Sequence, residues 1–164
     1  MADIMIRKRK RLRSKEVKAY HEDIERTLGV APFTADDAVD LAESSEFNVI
    51  YVNGEILAMI YEGKAFLTVR GLLKYRPQKK FVTVDMGAVP YVTNGADIMA
   101  PGIVDADPDI LTGDMVWIRD VKNLVPLAVG VSSVSGEALK KGGKGKVIRT
   151  VHNFGDKLWK SDER

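Results

Sequence analysis

The chain has 164 residues, 45% of them hydrophobic, and a net charge of +2, enough for one ordinary domain or two small ones with a real core. No apolar run approaches the roughly 18 residues of a bilayer span, and no apolar stretch follows the charged N-terminus as a secretory signal requires, so neither membrane nor secretion is expected. Cysteine is absent, which excludes disulfides and thiolate chemistry and fits a reducing cytoplasm, and two distant histidines, His21 and His152, do not make a classical zinc site.

The charge is unevenly placed. Residues 1–20 carry eight Lys/Arg against two acids, whereas residues 21–75 carry four against ten. A basic block followed by an acidic one implies a polarised surface, and the basic end is where an anionic partner is expected.

"RKRKRLRSK" reads as a basic strand or arm leading into a helix over about residues 15–28. Ser14 is the expected N-cap, Val17, Tyr20, Ile24 and Leu28 recur at helical spacing, and Gly29 suits the left-handed C-terminal position. "FTADDAVDLAES" is read as a second, shorter helix capped by Thr34. Asn53-Gly54 and Glu62-Gly63 then mark two tight hairpins, giving three consecutive antiparallel strands. Pro77 discourages helix beyond Tyr75-Arg76, and a domain boundary is expected near residues 76–80, with a first domain over 1–77 and a second over 78–164.

The second half reads as short strands, "KFVTV", "ADIMA", "DMVWIRD", "LVPLAVGVSSV" and "KVIRTVH". Two short helices interrupt them, one after Asp85 and one capped by Ser135, which together suggest a small, nearly closed barrel. Asp105-x-Asp107-x-Asp109 opens like a calcium loop, but Ile110 and Val116 stand where glycine and a bidentate glutamate belong, leaving a solvated acidic turn. "KKGGKGKVIRT" lacks both the phosphate-loop and the dinucleotide spacing. It remains a basic glycine turn suited to a solvated hairpin or to phosphate contact. His21 is expected to face solvent and His152 to be structural. No serine has the spacing of a nucleophile, so no catalytic constellation and no cofactor are expected.

Residues 79–153, read together, resemble a PUA domain. The resemblance rests on Val84-Asp85-x-Gly87-Ala88, Gly95-Ala96-Asp97-Ile98-Met99-x-Pro101-Gly102-Ile103, Gly113-Asp114, and Leu127-Ala128-Val129-Gly130 ahead of a Ser-Gly-Glu helix. "LTVRGLLKYRP" before it and "NFGDKLWK" after it extend the likeness to the malignant T-cell amplified sequence family of translation factors. The resemblance implies an α+β protein: a small N-terminal α/β pre-PUA domain with antiparallel strands, then a PUA β pseudo-barrel with two short helices. It implies a non-catalytic cytoplasmic protein that engages structured RNA, tRNA or small-subunit rRNA, in translation initiation or ribosome recycling. The alternative is the RNA-docking subunit of a tRNA- or rRNA-modifying enzyme. Eukaryotic members work with density-regulated protein, a partner that is not carried over to this chain. A third reading is protein docking through the acidic face of the N-terminal domain, Asp36, Asp37 and Asp40, with RNA binding vestigial.

By the family pattern RNA lies along Thr93, Asn94, Gly95 and Ala96, Pro101-Gly102, and Lys144, Lys146 and Arg149, with Lys79 and Lys80 reaching the same groove. The loop glycines are expected to leave backbone N–H groups open to phosphate. Asp97 is expected to fix the turn and Trp117 to lie in the core. From charge alone, Arg9, Arg11 and Arg13 form a second expected phosphate contact.

Overall fold

The computed structural model describes residues 5–162; residues 1–4 of the expected first domain and 163–164 of the second lie outside that range. The chain forms two compact units. Among the described residues the first runs to Gln78 and takes back residues 160–162, and the second is Lys79–Trp159.

The first unit is a five-stranded antiparallel sheet in sequential order: β1 (Arg7–Arg11), β2 (Val39–Glu43), β3 (Asn48–Val52), β4 (Glu55–Tyr61) and β5 (Lys64–Leu67). Helix α1 (Ser14–Leu28) packs on β5 and α2 (Val69–Tyr75) on β4. Ile24 and Leu28 of α1, with Val49, Leu57, Met59 and Phe66 from the strands, are buried in this unit's core. Both hairpin signals hold: Asn53 (φ +52) with Gly54 (+89), and Glu62 (+50) with Gly63 (+79), take the left-handed pair that a two-residue turn needs. At one sheet edge, Asp23 of α1 accepts the β5 backbone N–H of Ala65 at 3.1 Å. The other edge, β1, is guarded by its charges.

Three expectations fail here. Residues 34–45 are a turn and strand β2, not a helix. The Asp37 carboxylate accepts the N–H of Thr34 at 2.8 Å and the Asn53 amide at 2.8 Å, closing a turn, and Val39–Glu43 then pairs with β1 and β3. Because Asp40 is buried in that strand, the expected acidic face loses one of its three members. The cap of α1 is Arg13, one residue before Ser14, with Glu16 accepting its N–H at 3.2 Å. Helix α2, capped by Thr68 through Gly71 N–H at 3.2 Å, was not anticipated.

The second unit is a six-stranded sheet in the order β7-β11-β10-β9-β6-β8, built from β6 (Phe81–Val84), β7 (Ile98–Met99), β8 (Ile103–Ala106), β9 (Met115–Asp120), β10 (Pro126–Ser132) and β11 (Lys146–Asn153). Its edge strands β7 and β8 are joined by the single 3-10 turn Ala100–Gly102. Three residues reach about 11 Å at most, so the sheet must curl until its edges nearly meet. That is the pseudo-barrel. Val82, Val84, Ile98, Ile118, Ala128 and Ile148 fill it. The short helices α3 (Val89–Val92) and α4 (Gly136–Lys141) interrupt the strands, with Pro90 in the first turn of α3 and Ser135 accepting Ala138 N–H at 3.2 Å to cap α4. A last helix, α5 (Lys157–Ser161), follows β11. No described helix is long and apolar enough to cross a membrane.

Strand β8 was hidden behind its aspartates. Asp105 lies within it and Asp107 ends it, 6% exposed, accepting Lys80 N–H at 2.6 Å and Asp109 N–H at 2.9 Å. The expected solvated acidic turn is thus a buried structural one at Asp107. Among the described residues no group of three His, Asp or Glu side chains is placed to hold a metal.

Candidate nucleic-acid interface

The loop after α3 is stitched to β11 at three points. Asp97 Oδ1 accepts Thr150 N–H at 2.8 Å, Thr150 Oγ1 donates to the Ala96 carbonyl at 2.9 Å, and Asn153 Nδ2 donates to the Thr93 carbonyl at 3.1 Å. Buried Ile148 and His152 point β11 into the barrel, while Lys146 and Arg149 stand exposed. Lys146 Nζ lies 3.4 Å from Asp97 Oδ2 with 56% of its side chain exposed, a contact that water screens and that a phosphate can replace. The Thr93–Asp97 segment therefore lies against β11 with Lys146 beside it, and Arg149 is a further exposed cation of the same strand. Asp97 fixes the turn, and Trp117 is buried with its indole N–H on the Lys79 carbonyl at 2.7 Å.

The mechanism expected for the loop is overturned. Its N–H groups are already used: Thr93 on Val89, Asn94 and Ala96 both on Tyr91, and Gly95 on Val92, at 2.9–3.2 Å. Gly95 is needed because the turn demands φ +89, not because a phosphate must reach its nitrogen. What this surface offers an anion is therefore side chains rather than loop N–H groups. Asn94 is exposed there, and Tyr91, 70% exposed, offers a ring for a base to stack on.

The other expected residues divide. Lys144 sits in the exposed glycine turn before β11, whose Gly145 carbonyl accepts the Ala100 N–H at 2.8 Å and so ties that turn to the Pro101-Gly102 segment. Gly102 packs close, since a Cβ there would lie 3.3 Å from the Ala88 Cβ. Lys79 and Lys80 lie just before β6, and Lys79 is exposed. Lys80 Nζ is held by Asp114 at 2.7 Å and by the Asp109 carbonyl at 3.3 Å.

In the first unit, Arg9 and Arg11 both bind the Asp40 carboxylate, Arg9 at 2.8 Å, and the Arg9 guanidinium lies 3.8 Å over the Tyr51 ring. Burial pushes the Asp40 carboxyl upward, but the hydrogen bonds and charges of Arg11 and Arg9 outweigh it and hold the group below the usual carboxylate range. These arginines are held by the sheet. Arg13, the cap of α1, is exposed.

His152 is structural, as expected, but sequence reasoning missed its partner. His152 is 1% exposed with Nδ1 2.8 Å from Asp156 Oδ2. Burial raises the Asp156 carboxyl, and His152 together with the N–H groups of Trp159 and Asn153 brings it below the ordinary value. No spacing rule marks such a pair, although Asp156 four residues after His152 was visible. His21 was expected in solvent; its Nδ1 instead accepts Phe33 N–H at 3.2 Å.

A curled six-stranded sheet with a loop stitched to its closing strand defines the PUA class, and the PUA domain family matches residues 80–154. The chain belongs to the malignant T-cell-amplified sequence family. It is 33% identical to malignant T-cell-amplified sequence 1 of Rattus norvegicus, over 75% of this chain and 70% of the rat protein. An uncharacterised protein of Methanocaldococcus jannaschii is 38% identical over 94% of this chain and 96% of its own length. Translation machinery-associated protein 20 of Schizosaccharomyces pombe is 34% identical over 67% of this chain, which spans 64% of that protein. Among solved structures, a hypothetical protein from Pyrococcus horikoshii OT3 superposes with a TM-score of 0.85 at 33% identity, covering 95% of this chain and all of that one.

Proposed function

We propose that this protein is a non-catalytic, cytoplasmic accessory factor of translation that holds structured RNA, tRNA or small-subunit rRNA, on the surface made by the Thr93–Ala96 loop and β11. The observation that carries the reading is the joining of that loop to the strand bearing exposed Lys146 and Arg149, with Lys144 in the turn leading into it. Fixed cations on a rigid strand, beside an exposed tyrosine, suit a partner that is a phosphate backbone with accessible bases. Membership of a family whose relatives include a protein named for the translation machinery supports the cellular setting.

The test is a filter-binding titration of tRNA, intact and lacking its 3′ end, and of small-subunit rRNA fragments. Salt-sensitive binding to at least one of these, stronger than to duplex DNA of equal length, is the expected result. Equal affinity for every polyanion would contradict a dedicated RNA surface.

A further inference from the structure

The first unit carries a second cationic surface, distinct from the arginines that Asp40 holds. We propose that the junction of β1 and α1 binds one unstacked nucleotide of single-stranded RNA, its phosphate on Lys10, Arg13 and Lys15 and its base in the adjoining groove floored by Leu12, Phe33 and Val39. The proposal rests on the reading that this chain binds RNA and adds a second site to it.

Two hollows meet at Arg11. One, of about 510 Å³, is lined by Lys10, Arg11, Arg13, Lys15 and Glu16. The other, of about 350 Å³, lies between α1 and residues 33–39 and has Val17, Lys18 and His21 along its helical wall. The second is near the small end of the roughly 300–1,000 Å³ range of ligand pockets, a size for one planar ring system rather than a larger cofactor.

The two hollows differ in charge, and the difference orients a nucleotide. Lys10, Arg13 and Lys15 are all exposed, and no acidic side chain among the described residues pairs with them. Glu16, the one acid there, is engaged by the Arg13 N–H. Arg11 is fixed by Asp40 and stands as a post between the hollows. The groove is the opposite case. Leu12, Phe33 and Val39 are buried apolar side chains, and they form its floor.

Asp37 lies on the wall of the groove, and the Thr34 backbone N–H, opposed by burial and aided by Asn53, holds its carboxyl below the ordinary range. An ionised carboxylate there repels phosphate and accepts from the amino group of a base. His21 supplies the complement: with Nδ1 accepting the Phe33 N–H, a neutral ring carries its proton on Nε2 and is a donor. A base inside a duplex cannot enter such a groove, so the ligand is single-stranded.

The test is an amide NMR titration of the full chain carrying Lys144→Ala, Lys146→Ala and Arg149→Ala, with an eight-nucleotide single-stranded RNA and with the same backbone made abasic. Amides of residues 10–21 and 33–39 are expected to shift, the abasic strand to bind on the order of tenfold more weakly, and Lys10→Ala with Arg13→Ala and Lys15→Ala to remove the response. All three added substitutions are at exposed positions, and the Arg13 cap contact is its backbone N–H on Glu16, which alanine keeps, so the fold is retained. Unshifted amides in both segments would overturn the site. Equal affinity for the abasic strand would overturn the base groove. Because the β11 cations are absent from this background, failure of the junction leaves the wild-type loop response intact. Failure of the β11 reading likewise leaves the junction response intact.

Discussion

The protein has two basic strands, and they are used differently. β1, Arg7–Arg11, is the denser in charge, yet its Arg9 and Arg11 converge on the buried Asp40 of the neighbouring strand. β11 is sparser, but its Lys146 and Arg149 are exposed while Ile148, His152 and Asn153 are buried. Charge density in a sequence therefore does not report charge available to a partner. The cross-strand neighbour decides, and that neighbour lies about thirty residues away along the chain.

The comparison can be broken most severely at Gly130. A Cβ there would lie 2.6 Å from the Arg149 carbonyl oxygen, backbone that cannot swing aside, and 2.6 Å from the Ile148 Cγ2. Gly130→Ala is expected to destabilise the second unit by about 3 kcal/mol, the upper part of the overpacking range, and to weaken RNA binding by displacing β11. Urea denaturation followed through Trp117 and Trp159, both in this unit, measures the first effect.

Asp40→Asn sharpens the contrast from the other side. It removes a buried carboxylate's charge-assisted hydrogen bonds, but Arg9 and Arg11 are 46% and 66% exposed and turn to water. The cost is about 1 kcal/mol rather than the roughly 1.5–3 kcal/mol of a buried pair. The two released arginines become competent for phosphate, so RNA affinity at low salt should rise as stability falls. A decrease in both would mean that β1 must be ordered by Asp40 to bind at all.

The smallest effect is in pH. Asp37, Asp40 and Asp156 all have carboxyls held below the ordinary value in the folded chain. A depressed folded pKa stabilises the native state above the unfolded value of about 3.9. That contribution is lost as pH falls through the folded values. Urea midpoints should be flat near neutrality and decline below about pH 4, and Asp40→Asn should make the decline shallower.

Much of the fold was legible, for local reasons. Asn53-Gly54, Glu62-Gly63 and Gly29 announce positive φ directly, and Ile24 and Leu28 carry a helical period that the core confirms. What failed was decided at a distance. Val39–Glu43 has acids and apolar residues compatible with either period, and only pairing with β1 and β3 makes it a strand. β8 was masked because Asp105 and Asp107 look solvated until Lys140, Lys80 and the backbone claim them. In the candidate site, the family motif located the loop that Thr150 and Asn153 hold against β11. It did not reveal that the loop's amides are spent within the turn, since an N–H partner is a matter of backbone path.

The most direct test of the account is the salt dependence of tRNA binding for wild type and for the Lys144→Ala, Lys146→Ala, Arg149→Ala variant. Each phosphate contact contributes about 0.7–0.9 to the slope of log K against log salt. The account predicts a weaker variant whose slope is shallower by about 2 to 3, with an unchanged urea midpoint. An unchanged slope and affinity would place the RNA elsewhere and contradict the assignment of β11.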